Sequence, residues 1–421
     1  MYKSYDLNSY KLHCIKDDRF KETKMVINFK RRVKKEEITM RSILSKILLE
    51  SSKNFPTSRL MAIKTENLYN LMFNSLTYLS GNYSVISFET MFLNDKYIDD
   101  KLFDKVLDFV IDVITNPDIE DNKFKEAKFS LANKSLEEEI KSIKDNPGKY
   151  GMLRLYEEMA KGSVASYNAI GYLDDLEKID ETNLYEYYKS VLKSDLIDIF
   201  VISPKDPDEI KNIFTSKFNL NTLKKKSDSH YVIYSSYRNH NKIIHEKADF
   251  EQSKLYIGCK FDKLSEFERK YVSIVYSYIL GGGPASKLFT VVREKNSLCY
   301  SISSSYKAIS NFLIITAGIN ASDFKKCLRL TKKEIKNMAS GNFEDDKIDE
   351  AIITYLNSFK ELKDSPSSLL GTYISHEYLD VDVIETREKE IKKVTKDMVV
   401  NFARKVHIDT VYVLEGSDKD E

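Results

Sequence analysis

Apolar positions along this chain change their period repeatedly, and each change marks an element. Residues 24–29 and 254–261 carry β-branched and aromatic side chains in rough alternation, the pattern of a strand. Over residues 38–49, Ile43, Leu44, Ile47 and Leu48 recur at helical spacing and mark one apolar face. A second such helix is predicted over 266–280. Two strand-like runs follow each helix, 68–79 and 83–93 in one case, 298–308 and 312–319 in the other. Each pair leads into a helix, 100–115 or 323–338. A long charged helix comes next, 121–144 or 344–363, stopped by Asn-Pro or Ser-Pro. Each series closes on a strand, 198–202 and 410–414.

This order is one unit written twice. Ile119-Glu-Asp-Asn-Lys-Phe-Lys-Glu-Ala127 aligns with Phe343-Glu-Asp-Asp-Lys-Ile-Asp-Glu-Ala351, an offset of about 224 positions. Asp145-Asn-Pro147 pairs with Asp364-Ser-Pro366, and Ser58-Arg-Leu60 with Ser286-Lys-Leu288. Locally pairing strands with clustered helices indicate an α+β fold: two homologous units, each a mainly antiparallel sheet covered by helices on one face. The expected domains are 1–222 and 240–421. The connection is placed in the polar, basic stretch 215–248, most linker-like at Lys224, Lys225, Lys226, Ser227, Asp228 and Ser229. The strand that opens the second unit is expected near Ile243.

Composition narrows the function classes. A chain of 421 residues favours two domains. A formal net charge of +1, with both signs interspersed, leaves no footprint for nucleic acid. Cys14, Cys259, Cys299 and Cys327 lie far apart, neither a zinc ribbon nor a disulfide framework, which suits a reducing cytosol. The first residues are polar, and no long apolar run occurs, so a cytoplasmic chain without a membrane partner is expected.

The candidate chemistry centres on GGGPASKLFTVVREKNSLCY, residues 281–300. Gly281, Gly282 and Gly283 close an apolar helical run and are expected to admit positive φ. A short amphipathic segment follows, with Leu288, Phe289, Val291 and Val292 apolar, ending in Arg293, Glu294 and Lys295. In fixed register, this string resembles the C-terminal-half signature of the insulinase/pitrilysin metallopeptidases, which include the mitochondrial processing peptidases. In that family an arginine and a tyrosine at this spacing contact substrate beside the zinc, and Arg293 and Tyr300 match them. The resemblance also implies two units facing each other as a clamp, with the three glycines on the substrate-binding side.

Active members of the family carry His-x-x-Glu-His on the first helix, with a glutamate on a later helix as third zinc ligand. Aligned on that helix, the motif falls on Ser42, Ser45 and Lys46, with Glu139 at the third-ligand position. Hydroxyls are poor neutral zinc ligands and an ammonium repels a divalent cation. Residues 16–167 contain no histidine at all. Elsewhere, His376-Glu377 with Asp380 is a truncated version of the motif, and His240, His245, His13, His230 and His407 have no ligand spacing. Neither a Gly-x-Ser-x-Gly elbow nor a phosphate-binding lysine accompanies the glycines.

The resemblance therefore implies the zinc-less subunit of a heterodimeric peptidase. Such a chain is inactive alone and needs no cofactor of its own. A homologous subunit supplies the zinc, while Arg293 and Tyr300 contact the substrate peptide. Two rivals stand beside it: a scaffold or peptide-binding pseudo-peptidase, and a self-sufficient hydrolase with unrecognised ligands.

Overall fold

The computed structural model describes residues 1–220, 230 and 236–417, so the stretch from Lys224 to Ser229 lies outside the described residues. The chain forms two compact units, each with its own sheet and apolar core.

In unit 1 the strands are β1 (Tyr2–Asp6), β2 (Lys11–Lys16), β3 (Glu22–Arg32), β4 (Met72–Ser80), β5 (Tyr83–Leu93) and β6 (Leu196–Ser203). They pair in the order β1-β2-β6-β3-β5-β4, with β2 and β6 parallel and all other neighbours antiparallel. Met25, Ile27 and Phe29 of β3 alternate onto the face covered by α1 (Lys35–Glu50) and α2 (Leu102–Thr115). A longer helix, α3 (Glu126–Ser142), follows.

Unit 2 repeats this wiring. Its strands are β7 (Lys242–Lys247), β8 (Ser253–Phe261), β9 (Ser301–Lys307), β10 (Phe312–Ile319) and β11 (Val406–Glu415), in the order β9-β10-β8-β11-β7. Here β7 is parallel to β11, as β2 is to β6. Ile257 pairs with Ile315 and Val411, where Ile27 pairs with Phe88 and Ile199. The two sheets differ by one strand: β1 has no counterpart among the described residues of unit 2.

The units are not contiguous halves of the chain. Residues 142–167 belong to unit 2, and residues 362–378 to unit 1. These segments hold the helices that follow the two prolines, α4 (Pro147–Met159) and α9 (Pro366–Leu379). Each lies on the second face of the sheet formed mainly by the other half. Helix α4 sits so close to β8 that a Cβ at Gly151 would lie 2.2 Å from the Tyr256 ring. A Cβ at Gly258 would lie 1.9 Å from Met159 Sδ. On α9, Glu377 accepts hydrogen bonds from Tyr2 Oη at 2.8 Å and Lys11 Nζ at 2.5 Å, and Tyr378 Oη accepts from Asn28 Nδ2 at 3.0 Å. The truncated His376-Glu377 motif is thus part of a structural polar layer, which also encloses His230 between Tyr83 and Tyr378 at ring distances of 4.2 and 4.3 Å.

Three boundaries differ from the sequence pattern for one reason. Tyr69 and Asn70 adopt left-handed backbone, so β4 begins at Met72, not at residue 68. Asp121 and Asn122 do the same and make a tight turn, which delays α3 to Glu126. Ser297 at φ 52° holds back β9 to Ser301. Asn and Asp tolerate this region because short polar side chains compensate locally, and apolar periodicity does not register it.

Candidate functional site

Helix α1 carries the stretch aligned with the metal motif. Ser42, Ser45 and Lys46 share its turn facing β4 and α3, and the two serines are buried. The hydroxyls of Ser42 and Thr77 on β4 are hydrogen-bonded at 2.9 Å. Ser45 Oγ donates to Ser42 O at 2.9 Å, while Ser75 Oγ on β4 donates to Ser45 O at 2.6 Å. Lys46 Nζ reaches α3, forming an ion pair with Glu139 Oε2 at 2.8 Å and a long contact with Ser135 Oγ at 3.5 Å. The four positions aligned from sequence therefore meet in space. They do not fit zinc: both hydroxyls are engaged, and the lone carboxylate is neutralised by the ammonium beside it. No group of three or more His, Cys, Asp or Glu side chains suited to a metal occurs among the described residues.

Arg293 and Tyr300 also come together. The apolar run before them is helical over α5 (Ser273–Gly281), preceded by a π-helical turn, Glu268–Val272. Arg293 lies next to last in another such turn, Phe289–Glu294, with its guanidinium 4.4 Å from the Phe289 ring centre. Tyr300 lies just before β9, its backbone N–H bonded to Gly318 O at 2.9 Å and its side chain 66% exposed. Both line an open cavity of about 340 Å³ with Ser297, Leu298, Cys299 and Asn320. No described carboxylate pairs with the Arg293 guanidinium, and no described residue bonds the Tyr300 hydroxyl. Burial pushes the Cys299 thiol up to about 11, partly offset by the Arg293 charge, so it is a poor nucleophile.

The three glycines play parts other than the one expected, since none adopts positive φ. Gly281 allows β9 to approach: a Cβ there would lie 2.6 Å from Ser304 N. Gly282 caps α5, while Gly283 faces open space.

Three comparisons bear on this arrangement. The family model described as "Peptidase M16 inactive domain" matches residues 178–355. The "Probable inactive metalloprotease YmfF" of Bacillus subtilis is 25% identical over 412 residues, 96% of each chain. The chain is thus similar to M16-family proteins. It lacks their zinc motif, as its own donor set shows. The M16 fold recurs in a conserved protein from Enterococcus faecalis V583 (TM-score 0.91, 24% identity, 100% of both chains). It recurs also in a peptidase M16 inactive domain from Pseudomonas fluorescens (TM-score 0.80, 14% identity, covering 99% of this chain and 98% of that one).

One feature of the M16 repeat escaped sequence reading. Ser304 Oγ on β9 donates to Ser277 O on α5 at 2.8 Å, repeating the bond from Ser75 to Ser45 O. Tyr278 follows Ser277 as Lys46 follows Ser45. Its hydroxyl meets Thr354 on the next long helix at 3.2 Å, just as Lys46 reaches the long helix of unit 1, though at a different position along it. The unit 2 counterpart of the degenerate metal site is thus a cavity of about 480 Å³, lined among others by Tyr271, Ser277, Tyr278, Ser304, Thr354 and Tyr355. Single serines carry no signal in a sequence read alone, and the equivalence shows only once both bonds are formed.

The described helices include none long and apolar enough to cross a membrane.

Proposed function

We propose that this chain is the zinc-less subunit of a heterodimeric peptidase, supplying Arg293 and Tyr300 to peptide held in a partner that carries His-x-x-Glu-His. One observation carries the reading. An exposed guanidinium with no carboxylate partner and an exposed phenol with no hydrogen-bond partner, both among the described residues, line the same small cavity. Arg293 offers several fixed donors to peptide carbonyls. The Tyr300 hydroxyl donates toward the oxyanion that develops on the scissile carbonyl. The chain itself holds no zinc, because Lys46 occupies the carboxylate that would be the third ligand.

Tyr300→Phe tests the reading. It keeps the ring and removes one donor, a loss of about 3–4 kcal/mol in transition-state binding, or roughly a hundredfold or more in rate. The variant, combined with a zinc-bearing homologue, assembles normally and hydrolyses peptides that much more slowly. Wild-type turnover from an intact Tyr300→Phe pair would leave the chain a scaffold or peptide-binding pseudo-peptidase. The zinc content is checked separately by elemental analysis after dialysis. About one zinc per chain, lost on Glu139→Ala, would revive the self-sufficient hydrolase and refute the donor-set argument.

A further inference from the structure

The duplication exposes a surface that one unit covers and the other leaves bare. In unit 1 a helix spanning Pro207–Lys217 packs on β2 and α2 with Ile210 and Phe214 fully buried. Beneath it Leu12 and Cys14 of β2 are 0% exposed. By register their counterparts in unit 2 are Ile243 and His245 of β7, since Leu12 pairs with Ile199 and Ile243 with Val411. Both of these are 44% exposed. No described residue of unit 2 repeats the helix Pro207–Lys217, and none repeats β1 beside the strand edge. What remains is a groove of about 790 Å³ between β7 and α6 (Phe324–Ala339), floored by Ile243, Phe324 and Leu328.

The charges along the groove are the reverse of those in unit 1. Matching the buried positions Val106, Leu107, Val110 and Ile114 of α2 with Cys327, Leu328, Thr331 and Ile335 of α6 sets Asp104 opposite Lys325, Asp108 opposite Arg329 and Asp112 opposite Lys333. In unit 1, Asp104 and Asp108 hold Lys217 of the covering helix at 3.3 and 2.8 Å. In unit 2, Lys325, Arg329 and Lys333 are exposed on the groove wall, joined by Lys332 and Lys336, and none has a carboxylate partner among the described residues. Lys332 contacts only Asn241, at 3.1 Å. Glu415, on the neighbouring strand, is held by His245 Nδ1 at 2.6 Å.

We propose that this groove docks an amphipathic helix of a partner polypeptide, with an apolar face like that of Pro207–Lys217 and acidic residues where that helix carries Lys217. The apolar floor supplies burial, and the lysine–arginine row sets orientation and selects acidic over basic partners. The proposal does not depend on the roles of Arg293 and Tyr300.

The test uses the full chain and a fluorescent, helix-stabilised peptide of residues 206–218 carrying Lys211→Glu and Lys217→Glu. Anisotropy titration should show saturable binding, at least tenfold tighter than for the same peptide with its natural lysines. Arg329→Glu with Lys333→Glu, both exposed and so compatible with folding as checked by circular dichroism, should invert that preference. Equal binding of both peptides, or no binding of either, overturns the proposal. So does tighter, variant-sensitive binding of single-stranded RNA or of phosphatidylserine vesicles, which would assign the row to a different polyanion. Loss of a self-associated species in sedimentation of the double variant would instead assign the groove to a second copy of the chain, and would equally overturn it.

Discussion

Two ion pairs on or beside α1 have similar lengths and very unequal weight in stability. Arg41, one residue before Ser42, is fully buried, as is Asp195 immediately before β6. Arg41 Nη1 donates to Asp195 at 2.9 Å, and Nη2 donates to Phe29 O at 2.7 Å and Ser84 O at 3.2 Å, while Nε has no partner among the described residues. Arg31 reaches the other oxygen of Asp195. Asp195→Asn keeps the shape but removes the negative charge that both guanidinium groups contact, leaving Arg31 with Glu37 at 3.2 Å and Arg41 with no carboxylate partner among the described residues. An uncompensated buried charge costs about 3–5 kcal/mol. Lys46 and Glu139 are 28% and 46% exposed, so water already screens them. Lys46→Met should therefore cost less than about 1 kcal/mol. Urea unfolding of both variants, followed by circular dichroism, measures the contrast. Asp195→Asn within about 1 kcal/mol of wild type would refute the claim that this pair pins α1, and with it the degenerate motif, to the sheet.

Other expectations follow from burial and packing. Burial lowers His13 from its ordinary 6.5 to about 4, so the unfolded chain takes up a proton there that the folded chain refuses. The stability this confers is complete above about pH 6.5 and lost as the pH falls toward about 4, amounting to some 3 kcal/mol at most; His13→Phe should flatten the profile in that window, and an unchanged slope would clear His13 of the effect. Gly281→Ala drives a methyl into the Ser304 backbone and should cost about 1–3 kcal/mol, whereas Gly283→Ala should be nearly silent. Equal melting temperatures for the two variants would contradict the close approach of β9.

The duplication, the element order and the failure of the metal motif were legible from residue order alone. These rest on properties that apolar period and residue type carry directly: which face of α1 is buried, and whether imidazoles are present to bind a metal. The α+β class followed, because such elements have few ways to share a core. Left-handed turns at Tyr69–Asn70 and Asp121–Asn122 escaped, since a positive φ leaves no trace in hydrophobic pattern. The exchange of α4 and α9 between units was settled only by tertiary packing: their partners, Tyr256 and Asn28, lie more than a hundred residues away. The same holds for the ion pair of Lys46 and Glu139, the shared cavity of Arg293 and Tyr300, and the bare groove beside β7. Each depends on which strand edge or helix face is left uncovered once long-range pairing is complete, and no local stretch of sequence encodes that.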